Sequence, residues 1–129
     1  MCWGPAAVST VAVAGLPGRL FSSDLLRAAQ TAQVISRELG LPVVLEPRLR
    51  EINNGVAAGM TREAARALRT PPSEPLLDWR PYPGGETWRE FYTRVARCMD
   101  GLTAGQEGLL ILVSHGGTII QQVAWWLRL

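Results

Sequence analysis

Four side chains in four short stretches could do chemistry here: Arg27, Glu51, Glu86 and His115. The stretch "LLILVSHGGT", residues 109–118, sets the single histidine of the sequence after an apolar run and before two glycines. Leu109 to Val113 reads as a strand covered on both faces. Gly116 and Gly117 let the backbone turn closely, and Thr118 offers a cap for a following helix. In that helix Ile119, Ile120, Val123, Ala124 and Leu127 recur at helical spacing. A histidine so placed stands at the carboxyl end of a strand and beside a helix N-terminus, where α/β folds bind anions.

The other three suit such a site. In "SSDLLRAAQTA", Arg27 falls in the first turn of a helix that follows a strand, where a guanidinium and free backbone N–H groups can grip a phosphate. Glu51, in "LREINNG", lies on an irregular loop, from which a carboxyl near an anion can donate a proton. Glu86, in "PGGETW", opens a helix. Taken singly, each has an ordinary alternative. Judged alone, Arg27 reads first as a solvated helix arginine and Glu51 as a solvent-facing carboxylate. Glu86 could serve as a helix cap and His115 as a packed residue.

The elements that must position these groups alternate between strand and helix. Leu20 and Phe21 end a short apolar run, with capping oxygens at Ser22, Ser23 and Asp24. A helix follows with Leu25, Ala28, Ala29, Ala32, Ile35 and Leu39 on one stripe, and Gly40 stops it. Pro42 to Leu45 reads as a second strand. "EPRLREINNGVAAGM" is loop-like through its Asn-Asn-Gly turn, and a short helix runs from Thr61 to Leu68. "TPPSEPLLDWRPYPGG" is too rich in proline for regular structure and reads as a surface loop over a site. Trp88, Phe91, Tyr92, Val95, Met99 and Leu102 mark a long amphipathic helix. The pattern predicts an α/β fold, a three-layer α/β/α sandwich with a mostly parallel sheet.

Composition narrows the function. A chain of 129 residues makes one domain at most, long enough to bury a core. Its net charge is +2, and all 13 basic residues are arginine, dispersed over several elements rather than gathered in a stripe, which argues against nucleic acid. Cys2 and Cys98 are isolated and lack metal-ligand spacing, so no metal and no cofactor is expected, and both read as reduced thiols of a cytoplasmic protein. The N-terminal "MCWGPAAVSTVAVAG" lacks the basic start of a signal peptide, and no apolar run reaches membrane-spanning length. A carboxylester hydrolase would need a Gly-x-Ser-x-Gly elbow and a separate catalytic histidine, and neither is present.

Together, "FSSDLLRAAQTAQVI", "LREINNG", "GGETWREFYTRV" and "LLILVSHGGTI" resemble, in order and rough spacing, the histidine phosphatase superfamily. That bacterial-rich group includes the phosphoglycerate mutases and many small phosphatases. The resemblance covers about Leu20 to Leu129. It implies phosphoryl transfer through a phosphohistidine: the histidine of an Arg-His-Gly stretch attacks phosphorus, two arginines and a second histidine hold the oxygens, and a carboxylic acid protonates the leaving group. Matched by motif, Arg27 is similar to the second phosphate-binding arginine, His115 to the second histidine and Glu51 to the proton donor. Arg27, His115, Gly116 and Glu86 would contact the substrate, a small phosphorylated metabolite or phosphate.

No Arg-His-Gly occurs in these 129 residues. The sequence therefore resembles an internal, truncated segment of a phosphatase, a single partial domain over 1–129 with residues 1–19 an altered or residual N-terminal segment. The resemblance places the missing strand in mid-sheet beside the strand that bears His115. The expected function is a family phosphomonoesterase that is inactive in this chain. The alternatives are a non-catalytic phosphate-binding pseudoenzyme or a phosphoglycerate mutase lineage. No membrane partner is expected, and a homodimer is compatible with the sequence.

Overall fold

The structure, a computed structural model, describes residues 18–105 and 108–129. The N-terminal readings on residues 1–17, Cys2 among them, lie outside those residues. The chain divides into two compact units. One holds the described residues up to Arg50 together with Asp100–His115, and the other holds Glu51–Met99 with Gly116–Leu129.

The first unit is a βαβ arrangement completed by a third strand. Strand β1 (Gly18–Ser22) leads into helix α1 (Leu26–Leu39), then strand β2 (Val43–Leu45). Strand β3 (Leu109–Val113) belongs to the same sheet, whose order is β2-β1-β3. All pairings are parallel, with Leu20 opposite Val43 on one side and Ile111 on the other. The α/β fold with a parallel sheet is therefore as the sequence predicts. Among the described strands β1 is the central one, and its Leu20, Phe21 and Ser22 are buried. The α1 stripe is laid down by small residues: Ala28 and Ala32 are buried, which lets the helix lie close to the strands. Gly40 ends α1 in the left-handed conformation, φ 67°, and its N–H closes on the Ser36 carbonyl.

Two local expectations change. Ser22, Ser23 and Asp24 do not cap α1; Leu25 is its N-cap residue and supplies no side-chain bond. The hydroxyls are taken elsewhere, Ser22 Oγ donating to the Ser23 carbonyl at 2.8 Å and Ser23 Oγ meeting His115. Strand β3 is half-buried along its length rather than covered on both faces. Among the described residues it has a sheet neighbour on one side only, and an apolar run does not by itself tell an edge strand from a central one.

In the second unit, helix α2 (Arg62–Leu68) starts at Thr61, whose hydroxyl accepts the Ala64 N–H at 3.2 Å. The proline-rich stretch contributes only a short 3₁₀ turn, Leu76–Asp78, and buries Trp79. Helix α3 (Trp88–Thr103), which lies in this unit up to Met99, buries Phe91, Val95, Cys98 and Met99 along one stripe, while Trp88 stays 41% exposed at its start. Its cap is a reciprocal box: Thr87 Oγ1 accepts the Glu90 N–H at 3.1 Å, and Glu90 accepts the Thr87 N–H at 3.0 Å. The capping alternative for Glu86 therefore falls to Thr87 and Glu90 instead.

Helix α4 (Gly116–Leu127) begins three residues earlier than a Thr118 cap would allow, so Thr118 lies within the first turn. Ile119, Ile120, Val123 and Leu127 are exposed, whereas Thr118 and Trp125 are buried. The apolar stripe that the spacing suggests is therefore the uncovered face of the helix.

Candidate functional site

His115 follows β3 by two residues and is buried, with 8% of its surface exposed. Its Nε2 shares a 2.8 Å hydrogen bond with Ser23 Oγ, which also accepts the Leu25 N–H at 3.3 Å. The parallel register makes this meeting unavoidable. Ser22 stands opposite Val113, and the Ser23 N–H continues the ladder to the Val113 carbonyl at 2.8 Å. Both chain segments thus leave the sheet at its carboxyl edge, the place where open α/β sheets take ligands. Ser114 Oγ, next to His115, is buried without a hydrogen-bond partner among the described residues, an uncommon state for a buried hydroxyl.

Arg27 lies on the first turn of α1, exposed, and forms no ion pair among the described residues. The α1 N-terminus carries neither a side-chain cap nor an acidic residue in its first turn. A cation and a positive helix end thus stand together, and the acidic side chain just before them, Asp24, is engaged by Arg50. The loop between β1 and α1 is fixed from one side by Asp24, which takes both Nε and Nη2 of Arg50 at 2.6 Å. That two-point bond holds the Asp24 carboxyl below its usual range.

The second unit places Glu51 and Glu86. Glu51 Oε2 accepts the Gly117 N–H at 3.0 Å, and Oε1 accepts the Ile52 N–H at 3.1 Å and the Thr118 hydroxyl at 3.4 Å. The carboxylate thus sits on the first turn of α4, where the helix dipole suits it. Glu86 is engaged by protein on both oxygens. Arg94 forks onto it, Nε to Oε2 at 2.8 Å and Nη2 to Oε1 at 2.7 Å, and the Asn53 N–H reaches Oε1 at 2.8 Å. Burial pushes the Glu86 carboxyl up, but the Arg94 and Asn53 hydrogen bonds outweigh it and leave it below its usual value.

Arg94 is the residue that sequence reading passes over. A faint signal is present: three residues after buried Phe91 and one before buried Val95, it borders the apolar stripe of α3. No group of three or more His, Cys, Asp or Glu side chains capable of holding a metal occurs among the described residues. No helix among them is long and apolar enough to cross a membrane.

A parallel sheet with a buried histidine beyond one carboxyl strand end and an arginine-bearing helix after the neighbouring one defines an α/β protein whose strand ends offer a candidate site. Residues 7–129 match the histidine phosphatase superfamily, branch 1. The chain belongs to that family. Among its relatives, the probable phosphoglycerate mutase GpmB of Yersinia enterocolitica is 37% identical over 114 residues, a match covering 75% of this chain and 47% of the relative. The protein of the same name from Erwinia tasmaniensis is 33% identical over 101 residues, with the same coverage. The chain spans about half the length of these curated relatives. Among solved structures, a mycobacterial glucosyl-3-phosphoglycerate phosphatase is 29% identical, with a TM-score of 0.74 over 97% of this chain and 65% of that one. The same phosphatase solved with inorganic phosphate matches at 28% identity and a TM-score of 0.74, covering 97% and 66%.

Proposed function

We propose that this chain binds the phosphoryl group of a small phosphorylated metabolite through His115 and Arg27, and that phosphoryl transfer needs a nucleophile outside these 129 residues. The observation that carries the reading is His115 itself. It is the one histidine of the sequence, buried, and hydrogen-bonded to Ser23 at the carboxyl edge of the parallel sheet. In the family a second histidine and two arginines hold the phosphoryl oxygens, and His115 and Arg27 match one of each by motif.

On this reading, the Arg27 guanidinium supplies paired donors and full charge to the oxygens. The His115 imidazole supplies one further hydrogen bond, and the Gly116 backbone at the start of α4 another. Glu51 takes the role of proton donor to a leaving alkoxide. Family hydrolysis forms a histidine–phosphorus bond as the ester P–O bond breaks, and water then cleaves the phosphohistidine. Without the attacking histidine, binding stands without turnover. The substrate class is a phosphomonoester. A mutase lineage is supported by the names of the curated relatives, and a phosphatase one by the solved structures.

The test has two arms. Orthovanadate or phosphate should raise the melting temperature of the chain, and His115→Ala should abolish that rise. Hydrolysis of an aryl phosphate should stay at background. Turnover that His115→Ala removes would overturn the non-catalytic part, and absence of any anion stabilisation would overturn the binding part.

A further inference from the structure

The Glu86–Arg94 pair does more than join a loop to a helix. Glu86 also exchanges hydrogen bonds with Asn53, donating its own N–H to the Asn53 carbonyl at 2.8 Å and accepting the Asn53 N–H on its carboxylate at 2.8 Å. Arg94 Nη2, beyond its fork onto Glu86, donates to the backbone carbonyl of Glu51 at 3.3 Å. The segment Glu51–Asn53 is therefore held at both ends by one ion pair.

The two glycine-bearing loops close around this pair. The Val56 N–H reaches the Pro83 carbonyl at 3.0 Å. A Cβ on Gly85 would stand 2.6 Å from the Asn53 carbonyl oxygen, and one on Gly55, whose φ is 53°, would overlap the Pro83 carbonyl. Backbone thus lies directly on backbone where "INNG" meets "PGGE". The segment that emerges aims the Glu51 carboxylate at Gly117, where a Cβ would come within 2.5 Å of Oε1.

We propose that Arg94, together with Glu86, is a positioning residue for Glu51: the forked pair fixes the Glu51–Asn53 backbone so that the carboxylate of Glu51 is delivered to the first turn of α4. This rests on the reading of Glu51 as the proton donor, and it gives Glu86 a protein partner on each oxygen rather than a substrate. The geometry suits arginine specifically. A planar fork can satisfy both carboxylate oxygens of Glu86 while Nη2 still reaches a carbonyl, and an ammonium group cannot match that planar array.

The Gly117 amide reports the arrangement without any need for turnover. In the full chain Glu51→Gln, which removes the charge that this N–H meets at 3.0 Å, should shift its NMR resonance. Arg94→Met should reproduce most of that shift and Arg94→Lys only part, while amides of Ala28 and Ala32 stay in place. Should Arg94→Met fail to fold, Glu86→Gln, which keeps an acceptor for Asn53, reads the same effect in milder form. A Gly117 resonance at its wild-type position in either folded variant would overturn the proposal. Phosphate stabilisation and hydrolysis address the donor reading separately, so the two can fail independently.

Discussion

At the residue scale, the ion pair of Glu86 and Arg94 ties acid stability to a nameable group. Burial alone would raise the Glu86 carboxyl, but its hydrogen bonds to Arg94 and Asn53 leave it below the ordinary 4.5. A carboxyl depressed by folding stabilises the protein above its unfolded value, and that contribution is lost as pH falls through the folded value. Glu86→Gln should therefore cost about 1–3 kcal/mol near neutrality, the range for a charged hydrogen bond left half-made. It should also flatten the loss of stability on acidification. Denaturant melts at neutral and acid pH measure both, and parallel acid slopes for variant and wild type would contradict the assignment. Asp24 is also depressed, by Arg50, but that pair is exposed and screened, so Asp24→Asn should change little. The strand end before His115 and the loop that carries Glu51 were legible in the sequence from their local turn chemistry. Arg94 was not, because its partner carbonyl lies 43 residues away and no local pattern announces a contact of that reach.

Elements are joined here by glycine. Gly117 lies in the first turn of α4, where alanine would ordinarily stabilise a helix by about 1 kcal/mol. The Glu51 carboxylate already occupies the space a Cβ would need. Gly117→Ala should therefore destabilise by about 1–3 kcal/mol, the usual penalty for overpacking. In a Glu51→Ala background the same substitution should become neutral or favourable, and a double-mutant cycle on thermal stability reads the difference. Additive effects would show that Glu51 is not what the glycine avoids. The strand and helix runs themselves were readable from periodicity, with β1, β2, β3 and all four helices close to their expected places. The caps were not. Ser23 and Thr118 have the chemistry of caps, but a histidine and a carboxylate from far along the chain claim their hydroxyls. Tertiary partners override local preference in that way.

For the whole molecule, apolar surface is the governing feature. Ile120 is 65% exposed and Trp126 73%, and together with Ile119, Val123 and Leu127 they leave most of the α4 stripe in water. Separately, β3 pairs only with β1 among the described residues, and the family resemblance places a further strand on its other side. Uncovered apolar patches and unpaired edges drive association, and net stabilities of about 5–15 kcal/mol leave little reserve against it. The isolated 129-residue chain should therefore bind a hydrophobic dye and self-associate with concentration, and Ile120→Glu with Trp126→Glu should reduce both. A monomer that unfolds cooperatively and reversibly without binding dye would contradict this. Periodicity found that stripe correctly as a stripe. Which side of a helix faces the core depends on what covers it, and hydropathy spacing carries no information about that.

The most direct test of the account is a calorimetric titration of inorganic phosphate into the wild-type chain, Arg27→Gln, His115→Gln and the double variant. If one anion is held by both side chains, each single variant should weaken binding by about tenfold or more, as loss of a charge-assisted bond does. The double variant should then lose less than the two single effects combined, because the groups share a ligand. Wild-type affinity retained in either single variant, or no measurable binding by the wild type, would contradict it.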